Sequence, residues 1–456
     1  MQKHYFKEGL IGGDWVTGIR LHVDAGGLIS KLETDVKPAK GEAAHGTVLP
    51  AMPNLHSHAF QRAFAGLAEF RAPGQSDFWN WRNAMYHFAA YMTPEAVEVI
   101  ASALYIEMLK AGYSAVGEFH YLHNSHVDQA LAMSRAIITA AEQTGMALTH
   151  LPVLYQMADF GGVPANKGQA PFLHEDDEYG RLLKILRPRL TGRHKLGLCF
   201  HSLRAVPQAA FAPAISAMNE LDDKAPIHIH IAEQMREVDA CVKATGKRPV
   251  EWLLANQQVD ARWCLIHATH VNEAEWRGIA ERGAVVGLCP TTEANLGDGI
   301  FPAAEYLAAG GCFGIGSDSH ISIDPREELR LLEYGQRLTR HARTVLTAAD
   351  GGHTGEYLWR QAAMGGARAL GQPIGEIAVG KRADLIVLDR TSPTFAASAY
   401  GQVVDAFVFA GQPNPVSDVM VAGEWVVTCG KHAKEDEVFA NYNDLVGRIA
   451  AKMEDM

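Results

Sequence analysis

The chain has 456 residues, 48% of them hydrophobic, with a formal charge of −11 at pH 7, which is enough apolar content for one large globular domain and a smaller one. That acidic balance excludes a nucleic-acid binder and a partner of acidic membranes, both of which need a basic stripe. Any anionic ligand would need a local cluster of arginines. The six cysteines contain no Cys-x-x-Cys pair and lie mostly in apolar runs, so they read as reduced buried thiols. The opening Met1-Gln2-Lys3-His4-Tyr5-Phe6 lacks the profile of a signal peptide, and no uncharged apolar run is long enough to span a membrane. The expectation is a soluble cytoplasmic protein.

Residues 1 to 47 contain short β-like pieces, including 14–23, separated by glycine pairs, and predict strands of a small sheet. From 48 to 370 eight short apolar runs, 48–52, 114–119, 147–154, 195–200, 226–231, 263–266, 284–288 and 312–315, alternate with helix-like segments such as 94–111, 127–145 and 272–282. Eight such repeats predict an α/β protein built on a (β/α)8 TIM barrel, with its active site at the C-terminal ends of the strands. A doubly wound open sheet is the competing fold, but no glycine-rich phosphate loop follows the first strand. After 370 the pattern returns to strands at 383–389, 405–410, 419–422 and 425–428. The simplest arrangement pairs the termini, 1–47 with 371–456, into one small β-sandwich domain beside a barrel of residues 48–370. Two long insertions, 70–92 and 156–180, are placed to carry substrate or subunit contacts.

The chemistry-bearing residues fall at the predicted strand ends. Leu55-His56-Ser57-His58 follows the first apolar run, and alternation in an extended chain turns both imidazoles to one side, as half of a zinc or iron site. Turn chemistry is the plainer reading of the pair. In Ile227-His228-Ile229-His230-Ile231-Ala232-Glu233 both histidines face the barrel interior, with His230 nearer the open end and His228 a deeper, hydrogen-bonded residue. Glu233, just past that strand, suits a proton shuttle beside a metal, although a helix-start carboxylate fits as well. His267, after the sixth strand, can ligate a metal, polarise the substrate or be structural. Asp318, in Gly316-Ser317-Asp318 after the eighth, can ligate a metal and take a proton, or cap a turn.

Taken together, His-x-His after strand one, His-x-x-Glu after strand five, His after strand six and Asp after strand eight resemble the amidohydrolase superfamily, in its mononuclear aminohydrolase branch. The tail Gly375-Glu376-Ile377-Ala378-Val379-Gly380-Lys381-Arg382-Ala383-Asp384-Leu385 is similar to that superfamily's re-entry into its β-sandwich. The resemblance implies that His56, His58, His230 and Asp318 bind one divalent metal, with Glu233 and His267 working beside it. Binuclear members bridge two metals through a modified lysine after strand four; here that stretch reads Leu198-Cys199-Phe200-His201-Ser202, so a single ion is expected. Three histidines and an aspartate suit Zn2+, with Fe2+ as the alternative.

Within the branch, His56-Ser57-His58-Ala59-Phe60-Gln61-Arg62, Phe78-Trp79-Asn80-Trp81-Arg82, Phe119-His120-Tyr121-Leu122-His123 and Phe200-His201-Ser202-Leu203-Arg204 resemble the formimidoylglutamate deiminase family of histidine degradation. That resemblance implies hydrolysis of N-formimino-L-glutamate, a small anionic amidine, to N-formyl-L-glutamate and ammonia. Two substrate carboxylates call for arginine forks. By position Arg82 and Arg204 are the expected clamps, with Gln61, Tyr121 and His201 as hydrogen-bond partners and the two tryptophans as packing. The alternatives are an aminohydrolase of a purine, pyrimidine or other heterocycle, an amide or ring hydrolase that releases no ammonia, and an inactive metal-binding scaffold. A homodimer would suit this build, though no stretch specifies one.

Overall fold

Parallel strands buried on both faces form the centre of the computed structural model, which describes residues 2–67, 69, 85–86, 88–123, 127–174, 176–410 and 413–454. The chain begins with β1 (Gln2–Ile11), β2 (Asp14–Val23), β3 (Ile29–Glu33) and β4 (Ala44–Pro50). The central strands follow: β5 (Met52–Ser57), β6 (Tyr113–His120), β7 (Ala147–Leu154), β8 (Lys195–Leu196), β9 (Leu198–Phe200), β10 (Ile227–Ile231), β11 (Trp263–His267), β12 (Val285–Leu288) and β13 (Cys312–Ile315). Last come β14 (Leu385–Leu388), β15 (Val416–Val421), β16 (Glu424–Thr428) and β17 (Lys431–His432).

The central strands run in the order β5-β6-β7-β9-β10-β11-β12-β13, with β8 paired to β7. Every residue of β6, β7, β10 and β11 is buried, as expected where helices cover one face of a parallel sheet and a barrel interior the other. The helices carry the stop signals that the sequence offers. Pro94–Ala111 starts on proline, with Thr93 capping the Ala96 amide, and ends at Gly112 in the left-handed conformation. Glu273–Arg282 opens with an Asn272–Glu275 capping box.

The cylinder closes where β13 meets β5. Ser57 and Asp318 form a parallel bridge; the Asp318 amide donates to the His56 carbonyl at 3.0 Å and the His58 amide donates to the Asp318 carbonyl at 3.2 Å. Gly316 makes this approach feasible, because a Cβ there would lie 2.7 Å from His56 Cβ and 2.9 Å from the His56 backbone N and O.

The terminal strands form a second sheet, ordered β17-β16-β15-β14-β4-β1-β2-β3. Alternation divides its strands between two cores. Val48, Leu385 and Val387 pack with Phe6, Ile19 and Leu21, whereas Leu49, Ile386 and Leu388 face the barrel's core. The β3 edge of this sheet folds back on the segment before β14, with Leu28 bridging Arg382, so the sheet curls over its own apolar interior as a small sandwich.

Two readings of the sequence are corrected. The run 48–52 is not one barrel strand: it divides between β4, which pairs with β1 and β14, and β5, which pairs with β6. Both halves are apolar and only Ala51 separates them, so hydrophobicity carries no sign of the change of sheet. Residues 405–409 of the expected strand 405–410 are helical, the second part of Gln402–Phe409. Val403, Val404, Phe407 and Val408 are its buried residues, a helical stripe that a window starting at Asp405 cuts in half. The cysteines form no disulfide among the described residues, and four of the six are buried.

Gly316→Ala should destabilise the fold by about 1–3 kcal/mol through overpacking at the closure, read as a lower midpoint in urea unfolding with unchanged slope. A midpoint equal to that of the parent would show that the two strands can part there without cost.

Candidate active site

Each strand end that carries a predicted ligand delivers it to one point. The Nε2 atoms of His56 and His230 lie 3.0 Å apart, and Asp318 Oδ1 is 3.4 Å from His56 Nε2 and 3.3 Å from His58 Nε2. Donor atoms of His56, His58 and His230 all lie within 4.8 Å of one another, as do those of His56, His267 and Asp318. All are buried. His58 Nδ1 donates to the Phe119 carbonyl at 2.9 Å and His230 Nδ1 to the His201 carbonyl at 3.1 Å, which fixes both tautomers and leaves their Nε2 lone pairs facing inward. Burial depresses the pKa of all three histidines, that of His56 to about 3, so they stand as neutral imidazoles. His56 Nε2 meets both His230 Nε2 and Asp318 Oδ1, so the donor atoms of all four side chains converge on one point as the ligands of a shared cation would. The donor set fits one divalent ion.

Glu233 and His267 border this cluster. His267 Nε2 is 3.7 Å from Glu233 Oε1 and 3.8 Å from Asp318 Oδ2, and its Nδ1 is 3.2 Å from Glu293 Oε1. Burial disfavours the imidazolium, but Glu233, Glu293 and Asp318 outweigh it and carry the His267 pKa up to about 10. Burial raises the Glu233 carboxyl to about 7, against the pull of His267. Asp318 goes the other way: burial opposes its charge, yet the surrounding imidazoles hold it below the usual carboxylate range. Behind the ligands burial likewise lifts Glu118 to about 7, against the hydrogen bonds that it accepts from Ser57, Ala59 and Tyr105.

The backbone is bent sharply to make these placements. Ala232, His267, Ala268, Asp318 and His320, all just beyond or at the ends of β10, β11 and β13, have φ of 53°, 68°, 49°, 46° and 61°. Non-glycine residues in this region cost about 1–3 kcal/mol each and persist where the surroundings hold them.

A pocket opens over the cluster. Gln61, Tyr121, His201 and Arg204 line it together with His58, His230, Glu233, His267 and Asp318. Gln61 Nε2 donates to the Tyr121 hydroxyl at 2.7 Å, and the His201 ring lies 4.5 Å from that of Tyr155 and 5.2 Å from that of His230. Arg204 is only 7% exposed. Burial opposes its charge, but Glu237 and neighbouring tyrosines keep the guanidinium protonated. Arg82, Trp79 and Trp81 lie outside the described residues. His228 sits deeper and donates to the Ala369 carbonyl at 2.7 Å.

Sequence reasoning missed Glu293, which holds His267 from the short helix Pro290–Leu296 after β12. It also missed Tyr86, Tyr155 and Phe172 in the pocket wall. Tyr155 immediately follows β7, the same strand-end position that singled out the metal cluster. Tyr86 and Phe172 come from the two long insertions, where spacing gives no cue to direction.

Comparison with known proteins agrees with this architecture. The model of the amidohydrolase family matches residues 47–426. Formimidoylglutamate deiminase of Pseudomonas aeruginosa is 49% identical over 455 residues, covering 98% of this chain and all of that one. 8-Oxoguanine deaminase of the same organism is 29% identical over 90% of each chain. The crystal structure of an amidohydrolase from Brucella melitensis superposes with a TM-score of 0.92 at 43% identity, over 99% of this chain and all of that one. With a family model spanning most of its length and a relative 49% identical over 98% of it, the chain belongs to the amidohydrolase family.

Proposed function

We propose that this protein hydrolyses the formimino group of N-formimino-L-glutamate, releasing ammonia and leaving N-formyl-L-glutamate. The observation that carries the reading is the pairing, in one pocket, of the His/Asp cluster and its two proton-handling neighbours with a buried arginine and a ring of hydrogen-bonding side chains. The full-length similarity to a formimidoylglutamate deiminase supports it. A heterocycle deaminase would have no use for two arginines, one for each substrate carboxylate.

In this reading His56, His58, His230 and Asp318 hold the ion, and zinc suits a three-histidine, one-carboxylate set with an open position. The bound ion supplies Lewis acidity that makes water nucleophilic near neutral pH. Asp318 accepts the proton that this water loses. The water oxygen bonds to the formimino carbon, and Glu233, whose pKa lies near neutrality, delivers a proton to the terminal nitrogen. That nitrogen then takes the proton held by Asp318, the bond from carbon to it breaks as ammonia leaves, and the hydroxyl proton of the adduct passes to Glu233 as the formyl C=O forms, which restores both carboxyl groups. His267, kept cationic by Glu293, Glu233 and Asp318, donates toward the oxygen on which negative charge develops. Arg204 and Arg82 pair with the substrate carboxylates, while Gln61, Tyr121 and His201 complete their hydrogen bonding.

Glu233→Gln should retain the metal yet lose at least about 100-fold in kcat in an ammonia-release assay; near-parental turnover would remove Glu233 from the proton path. Arg204→Ala should raise KM for the diacid about 10- to 100-fold, the worth of one lost charge-assisted pair. An unchanged KM would assign the clamp elsewhere. Chelation should abolish ammonia release and lower the Tm, with one equivalent of zinc restoring both. Full activity in metal-free protein would contradict the mechanism.

A further inference from the structure

Behind the ligand cluster runs an unbroken line of buried hydrogen bonds that no step above uses. Asn54 Nδ2 donates to Ser317 Oγ at 2.6 Å, and Ser317 Oγ lies 3.0 Å from His320 Nδ1. His320 Nε2 is 3.3 Å from Ser57 Oγ, which donates to Glu118 Oε2 at 2.6 Å. Glu118 also accepts from the Ala59 amide at 2.7 Å and from the Tyr105 hydroxyl at 3.2 Å. Each of these groups is at most 5% exposed. The line therefore crosses the barrel closure, from the loop after β13 to the end of β5 and on to β6. Its members interleave with the ligands: Ser57 stands between His56 and His58, and Ser317 and His320 flank Asp318.

Donor and acceptor counting gives this line a single direction. Asn54 is fixed because its Oδ1 already accepts the Ser317 amide at 3.1 Å, so its Nδ2 must donate to Ser317. From the other end, Ser57 uses its one hydroxyl hydrogen on Glu118, so His320 must donate to it from Nε2, and the neutral ring then accepts the Ser317 hydroxyl hydrogen at Nδ1. At that end the Glu118 carboxyl accepts from three donors, the Ser57 hydroxyl, the Ala59 amide and the Tyr105 hydroxyl. We propose that Glu118 and His320 are positioning residues for the metal centre, setting the one hydrogen-bond polarity in which the ligand-bearing ends of β5 and β13 stay in register. This inference rests on the assignment of His56, His58, His230 and Asp318 as ligands.

The isosteric change Glu118→Gln separates polarity from packing. Its amide sets a donor either against the Ala59 amide or against Ser57 and Tyr105; in the second case the line reverses, Ser317 accepts from both Asn54 and His320, and its own hydroxyl hydrogen is left without an acceptor among them. Tyr105→Phe removes a hydrogen bond to the same carboxylate without altering the direction.

The test compares the full-length parent with E118Q, H320A and Y105F at pH 8. Zinc retention is read by chelator competition, and the cobalt-substituted proteins are read by visible absorption. The inference expects E118Q and H320A to hold zinc about 10- to 100-fold more weakly than the parent, the range for lost partners behind ligands, and to show a shifted cobalt spectrum. Y105F should keep the parental values even if its Tm falls. Parental zinc retention and spectra in E118Q, or losses in Y105F equal to those in E118Q, would overturn the positioning role. A parent that takes up neither zinc nor cobalt would instead overturn the ligand assignment. Should H320A fail to fold, E118Q alone decides the matter.

Discussion

The closure of the barrel between β5 and β13 is the contact on which the site depends. His56 and His58 come from one side of it and Asp318 from the other, and the backbone hydrogen bonds that join the strands involve the same residues: the Asp318 amide to the His56 carbonyl, and the His58 amide to the Asp318 carbonyl. Folding of the cylinder and assembly of three donor side chains are therefore one event. Gly316 admits the two backbones to this distance, and Arg62 strengthens the arrangement from outside by pairing with Glu107 while donating to the His320 carbonyl. His230 arrives separately on β10, held by the carbonyl of His201.

The electrostatics of the mouth follow from burial. Neutral imidazoles and an ionised Asp318 face the same point, while Glu233 sits beside His267 with its charge finely balanced by desolvation. A buried cation relieves the crowding of lone pairs, and an arginine kept charged in the pocket lining relieves the local shortage of positive charge in a chain with a formal charge of −11. The left-handed backbone at Ala232, His267 and Asp318 directs side chains from strand ends toward this space. Its cost is borne by a barrel whose strands are buried throughout.

Much of this was legible in the sequence, because both the barrel and the ligand cluster are written in local patterns. Apolar runs bounded by helix signals located β6, β7, β10, β11, β12 and β13 nearly to the residue, and strand-end position then picked out His56, His58, His230, Glu233, His267 and Asp318. What remained hidden is non-local. Nothing around Ala51 distinguishes a strand of the terminal sheet from a strand of the barrel, since both are apolar, and their partners lie far along the chain. Glu293 looks like an ordinary first-turn carboxylate until His267 is seen beside it. Ser57, Glu118, Ser317 and His320 have no pattern in common and become one line of hydrogen bonds only when the closure brings them together. Tyr86 and Phe172, from long insertions, show the same limit.

The central claim is that the ends of β5, β10 and β13 share a single divalent ion. The most direct measurement is an anomalous difference map from crystals of the zinc-loaded protein, collected on both sides of the zinc absorption edge. The account predicts one strong peak about 2.0–2.2 Å from a nitrogen of each of His56, His58 and His230 and from a carboxylate oxygen of Asp318. A peak bound elsewhere, or two peaks sharing these ligands, would contradict it.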